Sequence, residues 1–388
     1  MVSNKYSRKH LNVRNYKKNT KKNSKVRKPK VINLVNDNKR ISNTRLDLQE
    51  ILDSIYNKLK GRYANYKNAE YIPILKDMNP NIFQISVLPT KNNSYGFENR
   101  HYNVGEFKNK NNEPIEVTIQ SISKVFNLAL AIKIRNQKNK NEKLNKSGIE
   151  DMIELIGTEE SFMGFNDIKA HQILNGSQGI PFTINPFVNA GAIATVSFIT
   201  PKKNKSTFHQ LIDNFNIFSG KNRRRPYVSV STYENEMEWL NTNNKLAKKI
   251  KNLSEKYYNK KKSIRKFKYF QGDNNTLDIK SALSNYTSMC SVLVDTKELV
   301  DMAYTLANGG LNSNEERILN CEENKYILSA MIFGGMYNSS GQWYQKLGIP
   351  MKSGVGGGII AIIPGEMAIS IISPPLDEYG NSFLGGQV

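Results

Sequence analysis

Cysteine is nearly absent: Cys290 and Cys321 are the only two in 388 residues. Two thiols cannot build a disulfide framework, so a core must hold the fold, and a reducing intracellular compartment, with the cytoplasm as its default, is the simplest setting. Histidine is almost as sparse. His10, His101, His171 and His209 fall in no recognisable motif, and no cluster of side chains suggests a metal site. Long apolar runs are missing too: none approaches the ~18 residues that a membrane-spanning helix requires, and the N-terminus lacks the apolar segment of a signal peptide. Acidic side chains are scarce at one end. Residues 1–40 hold fourteen Lys or Arg and one acid, Asp37, so +13 of the net +22 lies there and +9 is left for the remaining 348 residues.

What is present falls into two parts. Residues 1–42 are polar, highly charged and poor in large apolar side chains, which predicts a disordered basic tail. Its "KKNTKKNSKVRKPK" run suits contact with nucleic acid or another acidic surface, a nuclear or organellar address, or plain solvation. Residues 43–388 are expected to fold, and a chain of this size buries roughly three quarters of its unfolded surface. "LDLQEILDSIYNKL" spaces Leu48, Ile51, Leu52, Ile55, Tyr56 and Leu59 as one helical face, with Asp47 and Glu50 near its start. "NIFQISVLP" reads as a strand. "GVGGGIIAIIPGEMAISIIS" reads as a hairpin turning at Pro364-Gly365-Glu366. Helical patterns dominate between them, as in "KELVDMAYTLANGG", which stops at a glycine pair. Composition assigns 135–148 to a surface loop, and 257–269 to an exposed basic element anchored by tyrosines. Strands near both ends and helices between them predict an α+β fold: one antiparallel sheet shared by N- and C-terminal strands, plus a helical subdomain.

One stretch carries a chemical suggestion. In "TIQSISKVFNLALAIKI", Ser121 and Lys124 are three apart, on one face of any helix that starts there. A hydroxyl at a helix N-terminus favours a developing alkoxide, and a lysine becomes a base once burial lowers its pKa. The bland alternative is an N-cap serine beside a snorkelling lysine. A later "KSG" at Lys352–Gly354, opening an apolar β run, favours the chemical reading. S-x-x-K followed by a strand-borne K-[ST]-G is the arrangement of serine acyl-transferring enzymes, with a strand N–H completing an oxyanion hole.

Nine stretches then resemble, in order, the serine-dependent glutaminases of the β-lactamase and penicillin-binding-protein-like fold. They are "AEYIPIL", "QSISKVF", "NPFVNAGAI", "YENE" with "TNNKLA", "YTSMCS", "TLANGG", "GMYNSSGQW", "KSGVGGG" and "SPPLDEYGNS". The resemblance implies hydrolysis of L-glutamine to L-glutamate and ammonia through an acyl-enzyme, without metal or organic cofactor. It implies Ser121 as nucleophile, Lys124 as base, Tyr71 and Tyr337 as proton-relay candidates, and the N–H groups of Ser121 and Val355 as the oxyanion hole. It places substrate recognition on Glu236, Asn189, Asn243 and Tyr286, with Ser121, Tyr337 and Val355 also touching the ligand. Structural readings stand beside several of these: Asn189 as a helix cap, Tyr286 as core, Tyr71 as helix-end packing, Cys290 as buried filler. The resemblance also implies a homo-oligomer, dimer or tetramer.

The sequence departs from the pattern at points. Thr242 replaces the Arg that commonly precedes the pocket Asn. Gly105-Glu106 stands for Gly-Asp, and residues 159–162 read "EESF" for "EPSG". A closing C-terminal helix, usual in the family, has no counterpart after "GNSFLGG", which leaves the sheet face either open or covered by the basic N-terminal segments. The alternatives that remain are a catalytically weak glutamine binder or scaffold, and another serine hydrolase of the same fold.

Overall fold

The computed structural model describes residues 47–63, 65–160, 183–220, 226–238, 240–260 and 269–388. The basic tail, the central part of the second basic segment, and the last two residues of "EESF" lie outside these. Asp47 to Val388 form one compact unit.

The strands are β1 (Gln84–Pro89), β2 (Tyr102–Gly105), β3 (Val117–Thr118), β4 (Leu293–Val294), β5 (Met351–Gly354), β6 (Gly358–Ile363) and β7 (Met367–Ile372). Five of them make an antiparallel sheet in the order β2-β1-β7-β6-β5, and β3 pairs with β4 separately. The predicted sharing of one sheet by terminal strands is therefore met at the β1–β7 ladder, where Val87 faces Ile369. The predicted hairpin is β6–β7.

Alternation along the strands splits the apolar residues between two faces. Leu88, Ile360, Ile362, Ala368 and Ile372 join the main core with Leu299, Val300, Ala303 and Leu306 of the helix Thr296–Ala307. The helix start is tied down by polar groups on the same face: Ser86 Oγ and Thr296 Oγ1 lie 2.7 Å apart, and Ser370 Oγ donates to the Thr296 carbonyl at 2.6 Å. On the opposite face, Ile85, Val87, Met367 and Ile371 meet Leu48 and Leu52.

Those two leucines belong to the helix Leu48–Leu59, which the periodicity predicted. Asp47 caps it by accepting from the Gln49 N–H at 2.8 Å. This helix covers the outer sheet face; the basic tail, expected there as an alternative to an open face, lies outside the described residues. Leu52→Ala is expected to destabilise the protein by about 2–5 kcal/mol in urea unfolding, because the cavity left between helix and sheet cannot collapse fully.

One expectation is overturned. Residues 135–141 are not loop but the last turns of the helix Ser123–Asn141. Their polarity misled because the polar groups are paired internally. Arg135, only 6% exposed, reaches Asp151 at 2.8 Å, and Asn139 donates to the same carboxylate at 2.8 Å. Lys146 approaches its other oxygen at 2.9 Å. Three donors on one buried carboxylate lock this helix to the helix Gly148–Leu155. In the second basic segment, helix persists to Lys260, and Tyr269 is fully buried, its hydroxyl bonded to the Leu155 carbonyl.

Candidate active site

Ser121 lies in a short 3-10 turn, Gln120–Ile122, that runs directly into the helix Ser123–Asn141. The α-helix proper thus begins two residues later than Ser121, and Lys124 sits in its first turn. The residue at the helix cap is Ile122, not Ser121. Lys124 is 2% exposed, so it is buried rather than snorkelling. Burial brings its pKa down to about 8, the neighbouring Cys290 opposing part of that shift.

The Lys124 amine donates to the Phe187 carbonyl at 3.0 Å and to Asn189 Oδ1 at 2.6 Å. A neutral amine has two N–H bonds and one lone pair. With both hydrogens directed at these acceptors, the lone pair remains to take a proton. Asn189 opens the helix Asn189–Ser197, but Val188 holds the cap position. The Asn189 side-chain oxygen accepts from Lys124 and also from the Tyr286 hydroxyl at 3.1 Å, which fixes the orientation of its amide. Neither capping for Asn189 nor plain core packing for Tyr286 accounts for this network.

The "KSGVGGG" stretch explains itself by close approach. A Cβ on Gly354 would stand 2.7 Å from the Ile119 carbonyl oxygen and 3.3 Å from the Ser121 nitrogen. On Gly356 it would stand 2.3 Å from the Thr118 carbonyl oxygen. Only glycine lets the end of β5 pass this close to the Ser121 turn, and that contact brings Val355 to the nucleophile. Lys352, at the start of the motif, is fully buried. It donates to the Gly335 carbonyl at 3.2 Å and the Ser353 carbonyl at 2.6 Å, and its amine lies 4.8 Å from the Tyr337 ring centroid. Burial, then repulsion from Lys124, pushes its pKa well down.

A cavity of about 340 Å³ collects these groups. Tyr71, Ser121, Asn189, Glu236, Asn243, Tyr286, Tyr337 and Val355 all line it, as do Gln120, Thr242, Thr287 and Cys290. Every candidate read from the sequence is therefore brought together, with Lys124 directly behind the wall. Gln120 and Thr287 went unnamed in the sequence, although each adjoins a named residue. Cys290 is buried, as expected, but at the cavity wall, where burial and Glu236 raise its thiol pKa to about 11.

Burial lifts the Tyr337 phenol well above its ordinary pKa, offset in part by interactions with the Ser121 side chain and the Val355 backbone. The Tyr71 hydroxyl donates to Glu236 at 2.5 Å. Tyr71 is 40% exposed, so it does not simply pack at a helix end. Burial raises the Glu236 pKa, while hydrogen bonds from Tyr71 and Gln120 pull it back. Gln120 and Tyr337 both hold positive φ, 49° and 53°. Non-glycine residues in that region cost on the order of 1–3 kcal/mol each, and strain of this kind gathers at functional sites.

A serine near a buried, depressed lysine, with the turn that follows β5 against it, can perform acyl transfer. A carboxylate in the same cavity, the single one among the described lining residues, suits a cationic substrate group. The model of the family described as Glutaminase matches residues 67–388. The chain belongs to the glutaminase family. It is 32% identical to a glutaminase of Colwellia psychrerythraea over 336 residues, 86% of this chain and 91% of that one. It is 34% identical to a glutaminase of Nostoc sp., covering 86% and 85% of the two chains. The solved structure of the probable glutaminase ybaS superposes with a TM-score of 0.69 at 28% identity, over 88% of this chain and 95% of that one. The α+β, β-lactamase-like architecture expected of a glutaminase-family chain is thus the one observed.

Proposed function

We propose that this protein hydrolyses the side-chain amide of free L-glutamine, giving L-glutamate and ammonia, through an acyl-enzyme on Ser121. Ser121 Oγ attacks the amide carbon while neutral Lys124 takes its proton. The oxyanion rests between the N–H groups of Ser121 and Val355. Tyr337, set against Ser121, relays the proton to the departing nitrogen. The C–N bond breaks and ammonia leaves. Water then attacks the acyl ester, its proton passing to Lys124; the ester C–O bond breaks, Lys124 returns that proton to the Ser121 oxygen, and glutamate is released. Tyr71 orients Glu236 rather than relaying protons, because its hydroxyl is committed to that carboxylate.

The observation that carries this reading is the make-up of the cavity lining. Ser121, with the buried Lys124 bonded to Asn189 beside it, and Glu236, the single carboxylate among the described lining residues, face the same cavity. Glu236 takes the α-ammonium, and Asn189, Asn243 and Tyr286 serve the remaining polar groups of the amino acid. A carboxylate facing an ammonium favours free glutamine over glutamine within a peptide. Glu236→Gln is accordingly expected to lower kcat/KM for glutamine by roughly 10²–10³-fold, the size of a broken buried charge pair, in an ammonia-release assay. Unchanged kcat/KM would remove Glu236 from this role. Folded wild-type protein that binds glutamine and releases no ammonia would favour the binder instead.

The same reading includes a dimer or tetramer, an intracellular location, and contact of the basic tail with nucleic acid or another acidic surface. The tail's +13 and the two cysteines support the last two. No helix among the described residues is long and apolar enough to cross a membrane.

A further inference from the structure

The cavity presents a charge problem. Among the described residues that line it there is one carboxylate, Glu236, and no Lys or Arg. Lys124, the nearest buried cation, directs its N–H groups at Phe187 and Asn189. An amino acid brings two charges, however. Its α-ammonium has Glu236; among the described lining residues its α-carboxylate meets neutral donors only.

Several donors are already committed. Tyr71 gives its hydroxyl hydrogen to Glu236, and Tyr286 gives its own to Asn189. Gln120 donates from its amide to Thr118 Oγ1 at 3.1 Å. Geometry narrows the choice further. Both charged groups hang from one carbon atom, so the carboxylate's partners must be neighbours of Glu236. Glu236 lies near the end of the helix Val230–Glu238, and the next helix, Asn241–Lys260, begins a few residues on. Its second and third residues, Thr242 and Asn243, both line the cavity.

We infer that Thr242 is a specificity-determining residue whose hydroxyl donates to the α-carboxylate of the substrate, beside the Asn243 amide. This rests on the reading of the cavity as an amino-acid site. Hydroxyl and amide donors are weaker per contact than a guanidinium, so recognition of the carboxylate is divided between two adjacent side chains. A substrate without the negative charge loses the benefit of both.

The test compares L-glutamine with L-glutamine methyl ester, which keeps the side-chain amide and the α-ammonium but lacks the carboxylate charge. Binding is measured by calorimetry in the Ser121→Ala background, so that no turnover intervenes, and KM and kcat are measured in the active enzyme. Thr242→Val removes the hydroxyl at nearly constant shape. It is expected to weaken glutamine binding about ten-fold, leave kcat within about two-fold, and change binding of the ester by less than about two-fold. Thr242→Ser should restore the affinity. Equal weakening for both ligands would reduce Thr242 to a structural residue, and no weakening for either would remove it from the site; both outcomes overturn the inference. Failure of the Thr242 protein to release ammonia from glutamine would instead count against the proposed reaction, and the calorimetry would still decide the role of Thr242.

Discussion

Ser121→Ala should reduce ammonia release from glutamine by on the order of 10⁴–10⁶-fold, leaving only what the oxyanion hole and binding supply. In the proposed mechanism this hydroxyl bonds covalently with the amide carbon; the other thiol or hydroxyl nucleophile of note among the described lining residues, Cys290, has its pKa raised to about 11 by burial and Glu236. The Ser121 hydroxyl stands where the glycines of "KSGVGGG" let β5 approach the Ser121 turn. Binding of glutamine should survive, since Glu236 and Asn243 are untouched. Alanine removes only one oxygen, so circular dichroism and the unfolding midpoint should match the parent. Activity within ten-fold of wild type in such a folded variant would refute the acyl-enzyme mechanism.

The second large effect lies at Lys124. Lys124→Met should lower kcat by on the order of 10²–10⁴-fold, the usual contribution of a general base. Methionine fills the same buried channel without a charge to desolvate, although the Phe187 carbonyl loses a donor. These effects oppose one another, and stability should stay within about 2 kcal/mol of wild type. The wild-type pH profile provides an independent check. The base must be neutral, and its pKa lies at about 8. Raising the pH deprotonates it, so log kcat/KM should climb with unit slope up to that point and level off above it. At pH 7 about a tenth of the enzyme carries neutral lysine, so the rate there should be about one tenth of the plateau. A flat profile between pH 6 and 9 would show that Lys124 is not the titrating base.

Much of this architecture was legible because it rests on short-range patterns. The helix Leu48–Leu59 follows from 3.6-residue spacing and an aspartate cap, and the β6–β7 hairpin from two apolar runs around Pro-Gly. The site residues were legible for a different reason: each lies in a stretch resembling a family motif. Residues 135–141 show where such reading fails. Lys, Asn and Gln suggested a solvated loop, yet Arg135 and Asn139 are buried because Asp151 arrives from another helix. Composition cannot reveal a partner 12 to 16 residues away. Gln120 and Thr287 escaped notice for a similar reason, since which neighbours of a motif face a cavity depends on how several elements converge.

The sequence by itself determined the family, the α+β class, the Ser-x-x-Lys pair proposed as nucleophile and base, and the glycines that its surroundings require. These follow from residue types at fixed spacing, which local geometry translates directly. Only the tertiary structure decided that Lys124 is buried deeply enough to bring its pKa down to about 8, and that Tyr337 stands at the serine while Tyr71 holds Glu236. It also decided that the cavity's single carboxylate has no cationic counterpart among the described lining residues. Those properties belong to desolvation and to contacts between residues as far apart as 71 and 236, and both exist only once the chain has folded.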